Sequence, residues 1–219
     1  MSLILNIDTA TDYGSVCLSY DDEILGCINS REQKEHAAFV HIAVDTILRE
    51  AKKSIHDISA IAVTSGPGSY TGLRVSMACA KGFCYALNIP LIAISTLKVM
   101  AFAALSQSNE TFCCPMIDAR RMEVFTTLYN RDLNELVPSG PVLLDEFFLK
   151  EFIAENRILF LGSGIEKYRA IQKHHNCIFQ DLIVDASHLA KMAIKCYNKR
   201  NFEDITYAEP NYLKSFYIK

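Results

Sequence analysis

Ala62-Val-Thr-Ser-Gly-Pro-Gly-Ser-Tyr-Thr-Gly-Leu-Arg-Val-Ser-Met-Ala-Cys-Ala-Lys-Gly-Phe-Cys-Tyr-Ala-Leu87 is the stretch that decides how this 219-residue chain is read. The apolar run Ala60–Val63 predicts a strand. Gly66, Pro67 and Gly68 predict a tight turn, and Ser69 is placed to cap a helix that begins near Tyr70. A strand, a glycine turn and a helix N-terminus together can receive an anion, because the first helical amides point outward at the positive end of the dipole. The turn is not a Walker A loop, since Gly72 is followed by Leu73 and Arg74 and not by Lys-Ser/Thr. The helix carries only Arg74 and Lys81 as charges between Gly72 and Leu87, with small residues at Ser76, Ala78, Cys79, Ala80, Gly82 and Ala86. A helix apolar nearly all round belongs either at the centre of a core or against a partner.

Upstream, Leu3–Ile7 is a continuous apolar run that suits a strand buried on both faces. Asp8 ends it, Thr9, Ala10, Thr11 and Asp12 form a polar turn, and Ser15–Tyr20 and Glu23–Ile28 read as a hairpin. This order resembles the opening of the actin, Hsp70 and sugar-kinase superfamily, whose Asp and turn attend the phosphates and metal of a nucleotide. The alternative is that Asp8 only satisfies amides of its own turn. Residues 35–51 show helical periodicity through Phe39, Val40, Ala43, Val44, Ile47 and Leu48. His36 and His41 are five apart and so cannot chelate one metal as an i, i+4 pair would.

Downstream, Pro90–Ile94 predicts a strand and Ser95 the cap of a helix through Leu105. The polar run Ser106–Thr111 marks a domain boundary, giving lobes 1–107 and 108–219, with a tail free to return to the first lobe. The second lobe opens as the first does: a strand Phe112–Ile117 ending at Asp118, a turn, and a strand Glu123–Tyr129. Pro138–Pro141 predicts a turn, 145–155 an amphipathic helix, and Ile158–Leu161 a strand. Gly162-Ser-Gly164 then leads into a helix ending near His174, and Ser187–Lys199 is the last helix. Gly162 and Gly164 fit either a plain tight turn or a second nucleotide contact. Arg120 fits either an anion contact or a solvated turn residue.

Composition bounds the function. The net charge is −3 and half the residues are apolar, which suits real cores and disfavours autonomous nucleic-acid binding. No apolar run approaches the roughly 20 residues of a membrane span, and the N-terminus reads as a first strand and not a signal peptide. The eight cysteines include no Cys-x-x-Cys pair and predict free thiols in a reducing cytosol.

Ser65-Gly-Pro-Gly-Ser-Tyr-Thr-Gly-Leu-Arg-Val75 closely resembles the signature of the TsaB (YeaZ) family. Ile7-Asp-Thr-Ala-Thr11, Glu35-His36, Ile117-Asp-Ala-Arg120 with Glu123-Val124, and Glu209-Pro-Asn-Tyr-Leu213 match further family motifs in order. The chain departs at Lys214, where many members have Arg, and at Ser76, where Gly is usual. The resemblance implies an α/β, two-lobed actin/Hsp70/sugar-kinase-like (RNase H-like) fold, each lobe a mixed sheet with flanking helices. It implies a non-catalytic cytoplasmic scaffold for a TsaD-type catalytic subunit. With a TsaE-type ATPase, that complex would transfer threonylcarbamoyl to the tRNA adenosine 3′ of the anticodon, and tRNA would be met only through the complex. The chain would form a homodimer when alone. The interface would use His36, Phe39, Val40, Ala43, Tyr70, Leu73, Arg74, Met77, Ala80, Lys81 and Cys84. No cofactor would be held tightly, with ATP or ADP at the complex interface. Asp8, Thr9, Thr11, Gly66, Gly68, Ser69, Gly162 and Gly164 would form a vestigial phosphate-binding set. The metal-holding His-x-x-x-His of TsaD-type relatives has no counterpart in Ser95–Met100. An ATP-binding or ATP-hydrolysing enzyme of the same superfamily is the alternative. A peptidase lacks both the metal motif and a recognisable nucleophile context.

Overall fold

The computed structural model describes residues 1–31 and 36–214 and divides them into two compact units. Met1–Thr96 and Asp185–Asn211 build the first, and Leu97–Val184 is the body of the second.

In the first unit, β1 (Leu3–Asp8), β2 (Gly14–Tyr20) and β3 (Glu23–Ser30) form an antiparallel meander. β4 (Ala60–Thr64) and β5 (Leu91–Ile94) add parallel strands, giving the order β3-β2-β1-β4-β5. β1 and β4 are buried at every position, as continuous apolar runs covered on both faces must be. One face carries α1 (His36–Glu50) and α2 (Tyr70–Leu87), whose Val40, Ala43, Ile47, Met77, Ala80 and Cys84 join Leu5, Ile7, Leu18 and Val63 in one core. The other face is covered by α6 (Ala186–Asn198), with Ala186 and Ala190 against Cys17.

The second unit repeats that plan. β6 (Phe112–Asp118), β7 (Glu123–Asn130) and β8 (Glu135–Leu143) are the antiparallel meander, while β9 (Ile158–Leu161) and β10 (Cys177–Gln180) are the parallel strands. The order β10-β9-β6-β7-β8 is that of the first sheet written backwards. α3 (Thr96–Ser106) covers one face through Leu97, Met100, Ala101, Ala104 and Leu105. α4 (Lys150–Glu155) and α5 (Ile165–Ile171) cover the other through Ile153, Ile165 and Tyr168.

Several boundaries differ from the sequence reading. Contacts assign the chain from Leu97 to the second unit, ahead of the polar boundary at 107, because α3 buries its apolar face in that unit's core. Residues 138–141 lie inside β8 and not in a turn. β8 is an edge strand, where proline is tolerated; Pro141 stands opposite Phe125, and Pro138 lies in the stretch whose register shifts opposite Thr126–Tyr129. The helix expected over 145–155 begins only at Lys150, because Asp145 Oδ1 takes the Phe147 amide (2.9 Å) in a turn and Leu149 is left-handed (φ +55°). α5 stops at Ile171, where Gln172 turns extended. The last helix runs Ala186–Asn198, one residue earlier at each end than expected, because Asp185 caps it, accepting from the Ser187 amide at 3.0 Å. The half-buried edge strand β10 carries too little alternation to be read from sequence.

Candidate functional site

The turn between β1 and β2 packs directly on the glycine turn after β4. Asp8 is buried, and its Oδ1 accepts from the Ala10 amide (3.0 Å) and the Thr64 hydroxyl (2.7 Å). Burial pushes its carboxyl above the ordinary range, with the Ala10 and Thr64 bonds acting the other way. Thr9 Oγ1 donates to the Gly72 carbonyl (2.7 Å), and the Ser69 amide donates to the Ala10 carbonyl (2.7 Å). Ser69 caps α2 as expected, its Oγ accepting from the Gly72 amide at 3.2 Å. Thr11 Oγ1 accepts from the Tyr13 amide at 3.5 Å.

The glycines here are demanded by backbone approach. A Cβ on Gly68 would lie 2.2 Å from the Ala10 carbonyl oxygen, and one on Gly72 1.9 Å from that of Thr9. Gly66 has φ +112°, and a Cβ there would meet the Asn211 carbonyl oxygen at 2.6 Å. The sequence motif is therefore filled by the chain's own backbone. Asp8, Thr9 and Ser69 are brought together, but as a latch that joins β1 to the start of α2.

Gly162 and Gly164 form a separate turn in the second unit. Gly162 has φ +101°, and a Cβ would meet the Met116 carbonyl oxygen at 2.4 Å. The Gly164 amide donates to that carbonyl (3.0 Å), and Ser163 Oγ accepts from the Asp118 amide (3.0 Å). Asp118 repeats the role of Asp8, accepting from the Arg120 amide (2.6 Å) while Lys167 pairs with it at 2.7 Å. Modest burial opposes its charge, but the Lys167 and Arg120 bonds prevail and hold the carboxyl below the ordinary range. Among the described residues no group of three or more His, Cys, Asp or Glu side chains is arranged to hold a metal.

The other candidate is the face shared by α1 and α2, and here the structure corrects the sequence. Val40, Ala43, Met77, Ala80 and Cys84 all point into the first unit's own core and Leu73 is buried beside the Gly66 turn, so they are not presented to a partner. They are the apolar stripe that buries each helix on its sheet; periodicity marks that stripe but does not say which molecule covers it. The Lys81 ammonium is engaged by the chain's own Ala208 carbonyl (2.9 Å). The buried Ser76 hydroxyl is satisfied by the Leu73 carbonyl (3.2 Å), so it does not lie on the outer face. The side chain of His36, like Glu35, lies outside the described residues.

Tyr70 and Arg74 do reach solvent, with the Arg74 guanidinium 3.9 Å over the Tyr70 ring, and Phe39 is half-buried. Sequence reasoning missed the rest of the outer face. Ile42 is 67% exposed and Tyr85 85% exposed. Ala38, Ala78, Gly82 and Ala86 are exposed as well, and Val75 and Cys79 half-exposed. Nothing lies within 4 Å of a Cβ placed on Gly82, so its own fold does not require that glycine. The signal was present at positions 78, 82 and 86, small residues spaced by four. His41 joins the two helices at this edge, its ring 5.9 Å from Phe83 and its Nε2 3.7 Å from Cys79 Sγ. An open groove of about 490 Å³ runs beside it, lined by Val44, Leu48, Arg49, Lys53 and Phe83. Among the described residues no helix is long and apolar enough to cross a membrane.

The chain is similar in sequence and in fold to known proteins. Residues 20–215 match the family model described as TsaD, tRNA N6-adenosine threonylcarbamoyltransferase. The tRNA threonylcarbamoyladenosine biosynthesis protein TsaB of Escherichia coli K12 is 30% identical, over 97% of this chain and 94% of that protein. The Bacillus subtilis protein of the same description is 34% identical, over 73% of this chain and 70% of its own length. YeaZ from Pseudomonas aeruginosa superposes with TM-score 0.84 at 24% identity, covering 97% of this chain and all of that one. The ethanolamine utilization protein EutJ of Carboxydothermus hydrogenoformans shares the fold more distantly, with TM-score 0.51 at 9% identity over 87% and 90% of the two chains.

Proposed function

The chain belongs to the TsaB (YeaZ) family of tRNA threonylcarbamoyladenosine biosynthesis proteins, and from that premise we propose that it is a non-catalytic scaffold that docks a TsaD-type catalytic subunit through the outer face of α1 and α2. The observation that carries this reading is the face itself: Ile42 and Tyr85 held in solvent beside Ala78 and Gly82, on two helices already fixed by a core of their own. Small residues let a partner helix approach closely, and the exposed Tyr and Ile supply anchors of the kind that dominate interfaces. An interface of about 800 Å² per partner would suffice for a stable complex. With no partner present, the same face would pair two copies of this chain.

On this reading a TsaE-type ATPase joins the pair, threonylcarbamoyl transfer belongs to the TsaD-type subunit, and tRNA is met through the complex in the cytoplasm. ATP or ADP would sit at the complex interface and not in the turn after β4. The latch geometry supports that placement, since Asp8, Thr9 and the Ser69 amide are already bonded within the chain. An ATP-hydrolysing enzyme would need those groups turned toward phosphate and a held metal.

The test is the mass of the species formed when this chain is mixed with the TsaD-type protein of the same organism, by size exclusion with light scattering. A stable one-to-one heterodimer replacing the self-paired form is expected. Absence of association, with or without nucleotide and the ATPase, would remove the reading.

A further inference from the structure

We propose that Cys17 and Cys27 form a peroxide-responsive thiol pair that closes to a disulfide across β2 and β3. The two residues are direct partners in the antiparallel register of these strands. Directly opposed residues project from the same face, with Cβ atoms about 4.5–5.5 Å apart, which borders the separation a disulfide spans. Both thiols are free and meet in one cluster beneath Ala186 and Ala190 of α6. Their accessibility divides the labour: Cys17 is fully buried and Cys27 only half-buried.

Accessibility selects Cys27 as the sulfur that peroxide reaches first, while its oxygen neighbours accept the thiol proton. Ser15 Oγ lies 3.5 Å from its sulfur, Asn29 Oδ1 3.6 Å and Asp185 Oδ2 3.9 Å. The Cys17 thiol holds Cys27 below the ordinary thiol range, prevailing over burial, with Ser15 assisting and Asp185 opposing. The same contact and burial push Cys17 up. Elsewhere burial raises the thiols of Cys79, Cys113 and Cys114, and those of Cys84 and Cys177 reach about 11. Cys113 and Cys114 are adjacent on β6 and point to opposite faces, so they cannot pair.

The oxidant is hydrogen peroxide. The Cys27 thiolate attacks one peroxide oxygen, the O–O bond breaks, and hydroxide leaves and takes up a proton, leaving Cys27 as the sulfenic acid. The Cys17 sulfur then attacks the Cys27 sulfur. Its proton goes to the departing hydroxide, the S–S bond forms and a second water leaves. Two thiols and one peroxide thus give one disulfide and two waters.

The experiment treats the full chain with equimolar hydrogen peroxide, blocks the remaining thiols, and cleaves with a Glu-specific protease, which cuts between the two cysteines at Glu23. Mass spectrometry is expected to find the Cys17 and Cys27 peptides linked, with two of the eight thiols lost. Cys17→Ser should leave a Cys27 sulfenic acid that dimedone traps. Cys27→Ser, shown folded by circular dichroism, should keep its remaining thiols under the same dose. Oxidation of Cys27 no faster than of the buried cysteines, or a Cys17–Cys27 link that forms only in denaturant, would overturn the proposal.

Discussion

Replacing Gly72 by Ala tests whether the β1–β2 turn is a structural latch. The added Cβ would sit 1.9 Å from the Thr9 carbonyl oxygen, whereas ordinary contact begins near 3.4 Å. The obstacle is backbone and cannot rotate away, so the turn must retreat by about 1.5 Å. That retreat breaks the Thr9 hydroxyl bond to Gly72 and the Ser69 amide bond to Ala10, both 2.7 Å. Two buried bonds at about 1 kcal/mol each, with about 1–3 kcal/mol of overpacking, give a loss of about 3–5 kcal/mol. At about 2–4 °C per kcal/mol for a chain of this size, Tm should fall by about 10 °C. Gly82→Ala is the matched control, because its Cβ meets nothing within 4 Å and Ala gains about 1 kcal/mol of helix propensity. Urea denaturation followed by far-ultraviolet circular dichroism measures both. A Gly72→Ala protein within about 0.5 kcal/mol of the parent would refute the latch, since surface changes away from special contacts have effects of that size.

Three other outcomes are expected. Ala80→Arg should prevent folding, because Ala80 is fully buried in the first unit's core, whereas Ala78→Arg should leave Tm within about 2 °C and abolish self-association in light scattering. Asp185→Ala should cost about 1–2 kcal/mol at pH 7 by removing the α6 cap. Burial works against the Asp185 charge, but the bonds from His188 and Ser187 outweigh it and depress the carboxyl, so this stability is present above about pH 4 and is lost as pH falls through the folded value; urea midpoints of both proteins should converge in acid. Asp8 has the opposite sign: its raised carboxyl favours the folded state below about pH 4, and that stabilisation is lost as pH rises through the folded value. Asp8→Asn should therefore flatten the part of the pH–stability curve above pH 4, and an unchanged slope would contradict the assignment.

Elements whose burial comes from their own periodicity were legible in the sequence. β1 and β4 are unbroken apolar runs, α2 starts at the cap that Ser69 announces, and the strand-Asp-hairpin opening of each unit announced the repeat. Elements set by tertiary placement were not. An edge position lets β8 keep Pro138 and Pro141, and α3 belongs with the second unit only because of what its apolar face meets. The docking face was misread for the same reason. Hydrophobicity marks Leu73, Met77 and Ala80, which the fold consumes, while the exposed positions are small or isolated: Ala78, Gly82, Ile42 and Tyr85. The glycine motif was read as an anion cradle because its amides and its glycines are what such a cradle needs; the Ala10 and Thr9 carbonyls that fill it come from a distant turn.

The most direct test of the docking claim is calorimetric titration of the parent and of Gly82→Arg against the TsaD-type protein of the same organism. The open space at Gly82 means the arginine is accommodated in the free chain, so folding and thermal stability should match the parent. Affinity should fall at least a hundredfold, about 2.7 kcal/mol, because a charge now stands where a partner helix must approach. A folded Gly82→Arg protein that binds as tightly as the parent would place the interface elsewhere and refute docking through α1 and α2.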